Sequence, residues 1–189
     1  NIHRQLAQEV GLHQGRRLLQ LRRTLPLPTD VVAEIADFES CAFRPGIDEA
    51  DWLAVNNSAF GHHPEQGGWT REILQSRMAE PWFDPEGFRL HHEGTELGAF
   101  CWTKIHNDTE PAVGEIYVIA ANPSMSGRGL GRRMAISGLH YIEQQGITEA
   151  MLYVDADNAS ALAMYTALGF TPHHEEHAFV GDIAAGATS

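Results

Sequence analysis

Two hydrophobic periods alternate along this chain, and the switches between them mark out its elements. HRQLAQEV (3–10) reads as a short helix stopped by Gly11, and HQGRRLLQLRR (13–23) as an extended run. TLPLPTD follows as a linker, because Pro26 and Pro28 keep their neighbours out of helix. Pro45–Gly46 forms a turn, and Asp48 caps an amphipathic helix running to about Phe60. GHHPEQGGW is a polar loop, and Thr70 caps a second helix. FRLHHEG and ELGAFCWTKIH then alternate as two strands of a hairpin turned at EGTE. VGEIYVIAA is apolar enough for a central strand. A glycine-rich turn leads into the helix GLGRRMAISGLHYIEQQ, which Gly146 closes. The strand EAMLYVDA, the helix NASALAMYTAL ended by Gly169, and the extended run FTPHHEEHAFVG complete the series. From residue 43 the order is ααβββαβαβ, an α/β (α+β) arrangement with a strand–turn–helix at its centre.

One echo crosses the chain. LAQEVGLHQGRRLLQL near the start parallels MYTALGFTPHHEEHAFV near the end, with Gly11–Leu12 and Gly169–Phe170 in equivalent places. One short match of this kind arises by chance, since helix–Gly–strand is common; it is also what the last helix and strand of a preceding homologous domain would leave behind. The chain also begins at Asn1 rather than Met, which again points to a longer polypeptide.

Composition narrows the function classes. Of 189 residues, 43% are apolar and 20% charged, ordinary for a globular protein. No apolar run approaches the roughly 20 residues of a membrane span, and the N-terminus has no apolar core of a signal peptide. Cys41 and Cys101 share no metal or redox spacing, so they read as two buried thiols of a reducing cytoplasm. The net charge of −12 disfavours nucleic acid and anionic membranes as partners. Yet Arg128, Arg132 and Arg133, three of only 13 basic residues, fall within six positions, a local spot for a small anionic ligand.

That spot lies on the strongest motif, VIAANPSMSGRGLGRR (118–133). A strand ends at Asn122–Pro123, Gly127, Gly129 and Gly131 make a turn, and a helix begins within it. Exposed N–H groups and the helix dipole bind anions there, and glycines let phosphates approach the backbone. The spacing G-x-G-x-G fits neither a dinucleotide fingerprint nor a P-loop, and a plain strand–helix turn would also tolerate glycine. HHEEH (173–177) and His62–His63 do not match a metal motif, since His173 and His174 point to opposite faces of a strand; no metal is expected.

On these residues the chain resembles the GNAT acetyltransferase superfamily. Its motif Q/R-x-x-G-x-G/A lines up with Ser126–Gly131, with Ser126 in place of Gln or Arg. A second signature, N-x-x-A-x-x-x-Y-x-x-L-G-F, lines up with Asn158, Ala161, Tyr165, Leu168, Gly169 and Phe170. Further segments, Arg44–Phe60, His63–Thr70, Pro81–Gly87, Trp102–Lys104 and Gly114–Val118, are similar to the mycothiol synthase branch. The resemblance implies the GNAT fold, a mixed central sheet flanked by helices. It implies a remnant of a preceding GNAT domain (1–25), a linker (26–42), a complete GNAT domain (43–180) and a tail (181–189). Acetyl-CoA is the implied co-substrate, held by Ile119, Ala120, Ala121, Ser126, Gly127, Arg128, Gly129, Leu130, Gly131, Arg132, Asn158 and Ala161. Glu115 is the implied base and Tyr165 the acid, while Glu65, Lys104, Glu115 and Tyr153 hold the acceptor. That acceptor is the cysteinyl amine of a cysteine–glucosamine–inositol pseudodisaccharide, acetylated directly in a ternary complex; the missing N-terminal domain of the same polypeptide is a partner. Another small amine, a protein N-terminus, or a non-catalytic CoA-binding module stay open as alternatives. Trp69 and Trp102 either wall the pocket or pack the core.

Overall fold

The computed structural model describes residues 13–61, 63 and 66–180, with the side chains of 13–15 and 178–180 left aside. The initial helix expected over 3–10, Glu65 and the tail from 181 lie outside the described residues. The chain divides into two compact units, residues 23–152 and residues 1–22 with 153–189.

The larger unit carries the ends of two strands that run across the division, β1 (His13–Thr24) and β6 (Glu149–Asp155). Between them come α1 (Thr29–Ala33), β2 (Cys41–Ala42), α2 (Glu49–Ala59), α3 (Arg71–Met78), β3 (Phe88–Glu93), β4 (Glu96–His106), β5 (Val113–Ala121) and α4 (Leu130–Gln144). Strand order is β2-β3-β4-β5-β6. The first three pairings are antiparallel and β5·β6 is parallel, so the sheet is mixed as expected. The hairpin β3–β4 turns at Gly94, in the left-handed region at φ 64°.

The segment read as a linker does more than connect. It forms α1 and buries Leu25, Leu27 and Phe38, while the Leu25 N–H donates to the Thr148 carbonyl. The pattern of two prolines identified the break in helix but not the apolar contacts made by the residues between them. Thr70 caps α3 as expected, accepting from the Ile73 N–H. Asp48 occupies the N-cap position of α2 without capping it; its carboxylate accepts instead from the Arg44 backbone N–H at 2.7 Å and the Arg44 guanidinium at 2.7 Å and 3.0 Å. The two cysteines differ, contrary to expectation: Cys101 is buried in β4, whereas Cys41, on the two-residue strand β2 at the sheet edge, is exposed.

One face of β4–β5 packs on α4 closely enough to require glycine. A Cβ on Gly114 would overlap Ile142 of α4, and one on Gly138 would overlap the Cys101 sulfur. On the opposite side Phe43, Trp52, Trp69, Leu74, Phe88, Phe100 and Trp102 form an aromatic core. Trp69 and Trp102 are thus core residues, and both are buried.

In the smaller unit β1 pairs antiparallel with β7 (Thr171–Val180), and α5 (Ala159–Ala167) lies between β6 and β7 in sequence. Asp155 accepts from the Arg16 guanidinium, and Gly169 ends α5 at φ 81°.

Candidate active site

The glycine-rich turn is built from both ends. At the exit of β5 the Asn122 amide donates to the Leu97 carbonyl at 3.1 Å, while its oxygen accepts from the Ser124 N–H at 3.1 Å. A single 3₁₀ turn, Pro123–Met125, then buries Met125 and directs the chain into Ser126. Gly127 and Gly129 take φ of 81° and 74°, a left-handed conformation in which a Cβ is strained. Gly129 is also the N-cap of α4, with no side chain to close the first turn. The turn is open around its glycines, since a Cβ at Gly127, Gly129 or Gly131 would meet nothing within 4 Å, and the first N–H groups of α4 have no partner within the helix. This cradle fits a pyrophosphate: backbone donors, a helix N-terminus, and room for close approach.

The arginines are divided in their tasks. Arg132 is held by Glu34 in a two-pronged ion pair, 2.7 Å on each bond, which keeps the Glu34 carboxyl below its ordinary range. Arg133 pairs with Asp37 and lies over the Phe38 ring at 4.6 Å. Arg128 is the more exposed, its guanidinium 3.9 Å from the Glu93 carboxylate. Sequence reading offered Arg128 and Arg132 to phosphate alike; the acids of the 34–37 segment, distant in sequence, engage Arg132, while Arg128 is the more exposed of the two.

Upstream of the turn, β5 pairs with β4 along its length, but its parallel ladder with β6 covers only Gly114–Ile116. Beyond Ile116, alternate N–H and C=O groups of the strand face away from β4, and Ile119, Ala120 and Ala121 lie in this stretch.

Glu115 sits where that ladder is intact, directly opposite Lys104 on β4 and Met151 on β6. Its side chain is only 10% exposed, and its Oε2 lies 2.7 Å from His106 Nε2. Lys104 Nζ lies over the Trp82 ring at 4.8 Å, and Trp82 meets Tyr117 edge-on. Burial pushes the Tyr117 phenol up from its ordinary value, with Glu115 adding to the rise. Lys104, Glu115, His106, Trp82 and Tyr117 thus form one polar and aromatic group.

His106 and Trp82 were not among the residues the sequence singled out. The signal for His106 was its place two residues after Lys104, the same face of one strand, but pairing it with Glu115 required the β4–β5 register. Glu65 falls outside the described residues; the loop around it is tied by Asn57, whose amide donates to the Trp69 carbonyl at 2.8 Å and accepts from the Trp69 N–H at 2.9 Å.

Tyr165, Asn158, Ala161 and Tyr153 belong to the smaller unit. There Asn158 caps α5, its side-chain oxygen accepting from the Ala161 N–H at 3.1 Å. Tyr165 is buried and meets Phe170 edge-on. The Tyr153 hydroxyl lies 2.6 Å from the Gln20 amide nitrogen, which donates to it.

The model of the Acetyltransferase (GNAT) family matches residues 50–170. The chain belongs to the GNAT family. Its order ααβββαβαβ and the open turn before α4 are the family's plan carried by this sequence. Among solved structures, a GCN5-related N-acetyltransferase from Sphaerobacter thermophilus shares the fold at a TM-score of 0.70 and 23% identity, over 93% of this chain and 54% of that one. A chain of the NatC complex bound to Gag peptide and CoA matches at a TM-score of 0.56 and 13% identity, over 69% of this chain and 82% of that one. Among curated proteins, the mycothiol acetyltransferase of Streptomyces bingchenggensis is 47% identical over 92% of this chain and 57% of its own length. That of Streptomyces coelicolor is 48% identical over 92% and 56%, and that of Nocardia farcinica 41% over 94% and 60%. The chain therefore spans little more than half the length of these curated relatives.

Proposed function

We propose that this GNAT protein transfers the acetyl group of acetyl-CoA to the cysteinyl amine of a cysteine–glucosamine–inositol pseudodisaccharide, in the cytoplasm. The observation that carries the acceptor is the identity of 41–48% to mycothiol acetyltransferases over more than nine-tenths of this chain. The same relatives extend well beyond it, which supports a second GNAT domain in the whole protein, with residues 1–25 as its tail.

Bound acetyl-CoA supplies an activated acyl group as a thioester. The N–H groups at the start of α4 and at Gly127–Gly129 hold its pyrophosphate, with Arg128 adding charge. Ile119–Ala121 offer strand-edge N–H and C=O groups to its pantetheine arm. Glu115 takes the proton that an ammonium must lose before its nitrogen can attack. Its burial and its contact with His106 hold the carboxylate in one orientation, which a solvated surface glutamate lacks. Lys104 and Tyr153, with Glu65, are assigned to the acceptor, and Tyr165 to the proton needed by the leaving thiolate, each on its place in the family motifs.

The test supplies the intact protein with acetyl-CoA and the cysteinyl pseudodisaccharide, a peptide, or no acceptor, and follows release of the CoA thiol. Turnover with the pseudodisaccharide supports the reading. Turnover with the peptide alone, or binding of acetyl-CoA with no turnover on any amine, overturns it.

A further inference from the structure

We propose that Gln20 is a positioning residue for Tyr153: its amide donates to the phenol oxygen and turns the phenolic proton outward, so that Tyr153 binds an oxygen lone pair of the acceptor. The inference rests on the acetyl-transfer reading, with Tyr153 at the acceptor, and extends it to a residue of β1 that no motif marks.

Three side chains of the smaller unit make a directed chain. Gln20 lies on β1 and is only 8% exposed. Arg22, two residues on and so on the same face of the strand, donates from Nε to Gln20 Oε1 at 3.1 Å. Gln20 Nε2 in turn donates to the Tyr153 hydroxyl at 2.6 Å. The direction follows from the groups themselves. A guanidinium has no acceptor, so the amide atom that faces it is the oxygen. The other end of the amide is then NH2, which only donates, so the Tyr153 oxygen accepts.

A phenol that accepts from Gln20 keeps its own hydrogen for another partner. Among the described residues none takes it, and Gln20 is the hydroxyl's one hydrogen-bond partner. Tyr153 is 40% exposed, which leaves that hydrogen open to a ligand.

The sheet and Arg22 together lock this polarity. Gln20 is paired with His174 across the β1–β7 ladder, while Tyr153 belongs to β6, on the other side of β1 in the sheet. Turning the amide over would set its NH2 against the Arg22 guanidinium, donor against donor. The consequence is chemical selection. An unconstrained phenol both donates and accepts, and suits a ligand hydroxyl in either sense. Tyr153 as held by Gln20 offers a proton, and its match is an oxygen with a lone pair turned towards it. The sugar, inositol and carbonyl groups of the acceptor supply such oxygens; an ammonium is the poorer fit. Gln20 does not touch the acceptor in this scheme; it acts through Tyr153.

Two substitutions in the intact protein separate polarity from packing, because the two roles rank them in opposite order. Gln20→Glu keeps the shape and the bond from Arg22, but a carboxylate only accepts, so the phenolic proton turns inward to it. Gln20→Ala removes the contact and leaves the phenol able to donate outward. The isosteric change is therefore expected to be the worse one. KM for the pseudodisaccharide should rise by about tenfold in Gln20→Glu and about threefold or less in Gln20→Ala, with KM for acetyl-CoA unchanged in both. The reverse ranking, which packing would produce, or an unchanged KM in Gln20→Glu overturns the proposal. Once Tyr153→Phe is present, Gln20→Glu should add no further loss, and an additive loss overturns it as well.

A second readout needs no acceptor. The side-chain amide signals of Gln20 in 15N–1H NMR should move in Tyr153→Phe, where the accepting oxygen is gone; unmoved signals overturn the hydrogen bond itself. An unchanged KM in Tyr153→Phe overturns the proposal together with the assignment of Tyr153, and leaves acetyl transfer to this acceptor standing. Absence of turnover in the unmodified protein counts against the acetyl-transfer reading instead, and the NMR comparison still decides whether Gln20 donates to Tyr153.

Discussion

Glu115 is buried against His106 and directly opposite Lys104, and its substitution by an isostere is informative. Replacing it with Gln keeps the shape and the contact with His106 but removes the proton acceptor. We expect kcat to fall by roughly 10²–10⁴ with little change in KM for acetyl-CoA, read from initial rates at saturating acceptor. Asp48 offers a contrast, because its charge supports structure rather than chemistry. The Arg44 guanidinium, with help from the Arg44 N–H, holds its carboxyl below the ordinary range although burial works the other way. A depressed carboxylate contributes stability that is fully present above the ordinary carboxylate range, near 3.9, and is lost as pH falls through the folded-state value. Asp48→Asn should therefore lower stability by about 1–3 kcal/mol at pH 7 and flatten the acid limb of stability against pH, measured by denaturant titration. At this scale the sequence singled out Glu115 by its place four residues before Ile119 together with the family resemblance. It missed His106, because a histidine two residues from a lysine acquires meaning only when a second strand places a carboxylate beside it.

Among the elements, the strand–turn–helix Val113–Gln144 is the one whose glycines divide into two kinds. Gly131 opens on empty space, so a side chain there meets no protein atom but would occupy the cradle. Gly131→Val should keep the melting temperature within a few degrees and raise KM for acetyl-CoA by about tenfold or more, a split that a packing role would not produce. Gly114 behaves oppositely, since its missing Cβ makes room for Ile142. Gly114→Ala should cost about 1–3 kcal/mol by overpacking and lower the melting temperature, while surviving folded protein keeps its acetyl-CoA affinity. Both glycines stand in one contiguous segment, and nothing in their neighbours distinguishes the two roles. The G-x-G-x-G spacing made the turn legible; the close approach of α4 to β5 was not, because it depends on which helix face meets which strand.

For the molecule as a whole, stability rests on the aromatic core that Trp52 centres, fully buried and meeting Trp69, Phe88, Phe100 and Trp102 edge-on. Trp52→Ala should cost about 3–5 kcal/mol, and in a chain of this size each kcal/mol lowers the melting temperature by roughly 2–4 °C, checked by calorimetry. What the sequence by itself determined was the order of elements, the mixed α/β character and the glycine-rich turn. These follow from period, caps and glycine spacing, all of which act over a few residues. Only the tertiary structure decided that Glu34 captures Arg132, that Asp48 turns back to Arg44 instead of closing its helix, and that His106 stands against Glu115. The Arg132 and His106 pairings join residues 98 and 9 positions apart. They depend on register and helix placement, which arise from packing across the sheet, and no local pattern encodes them.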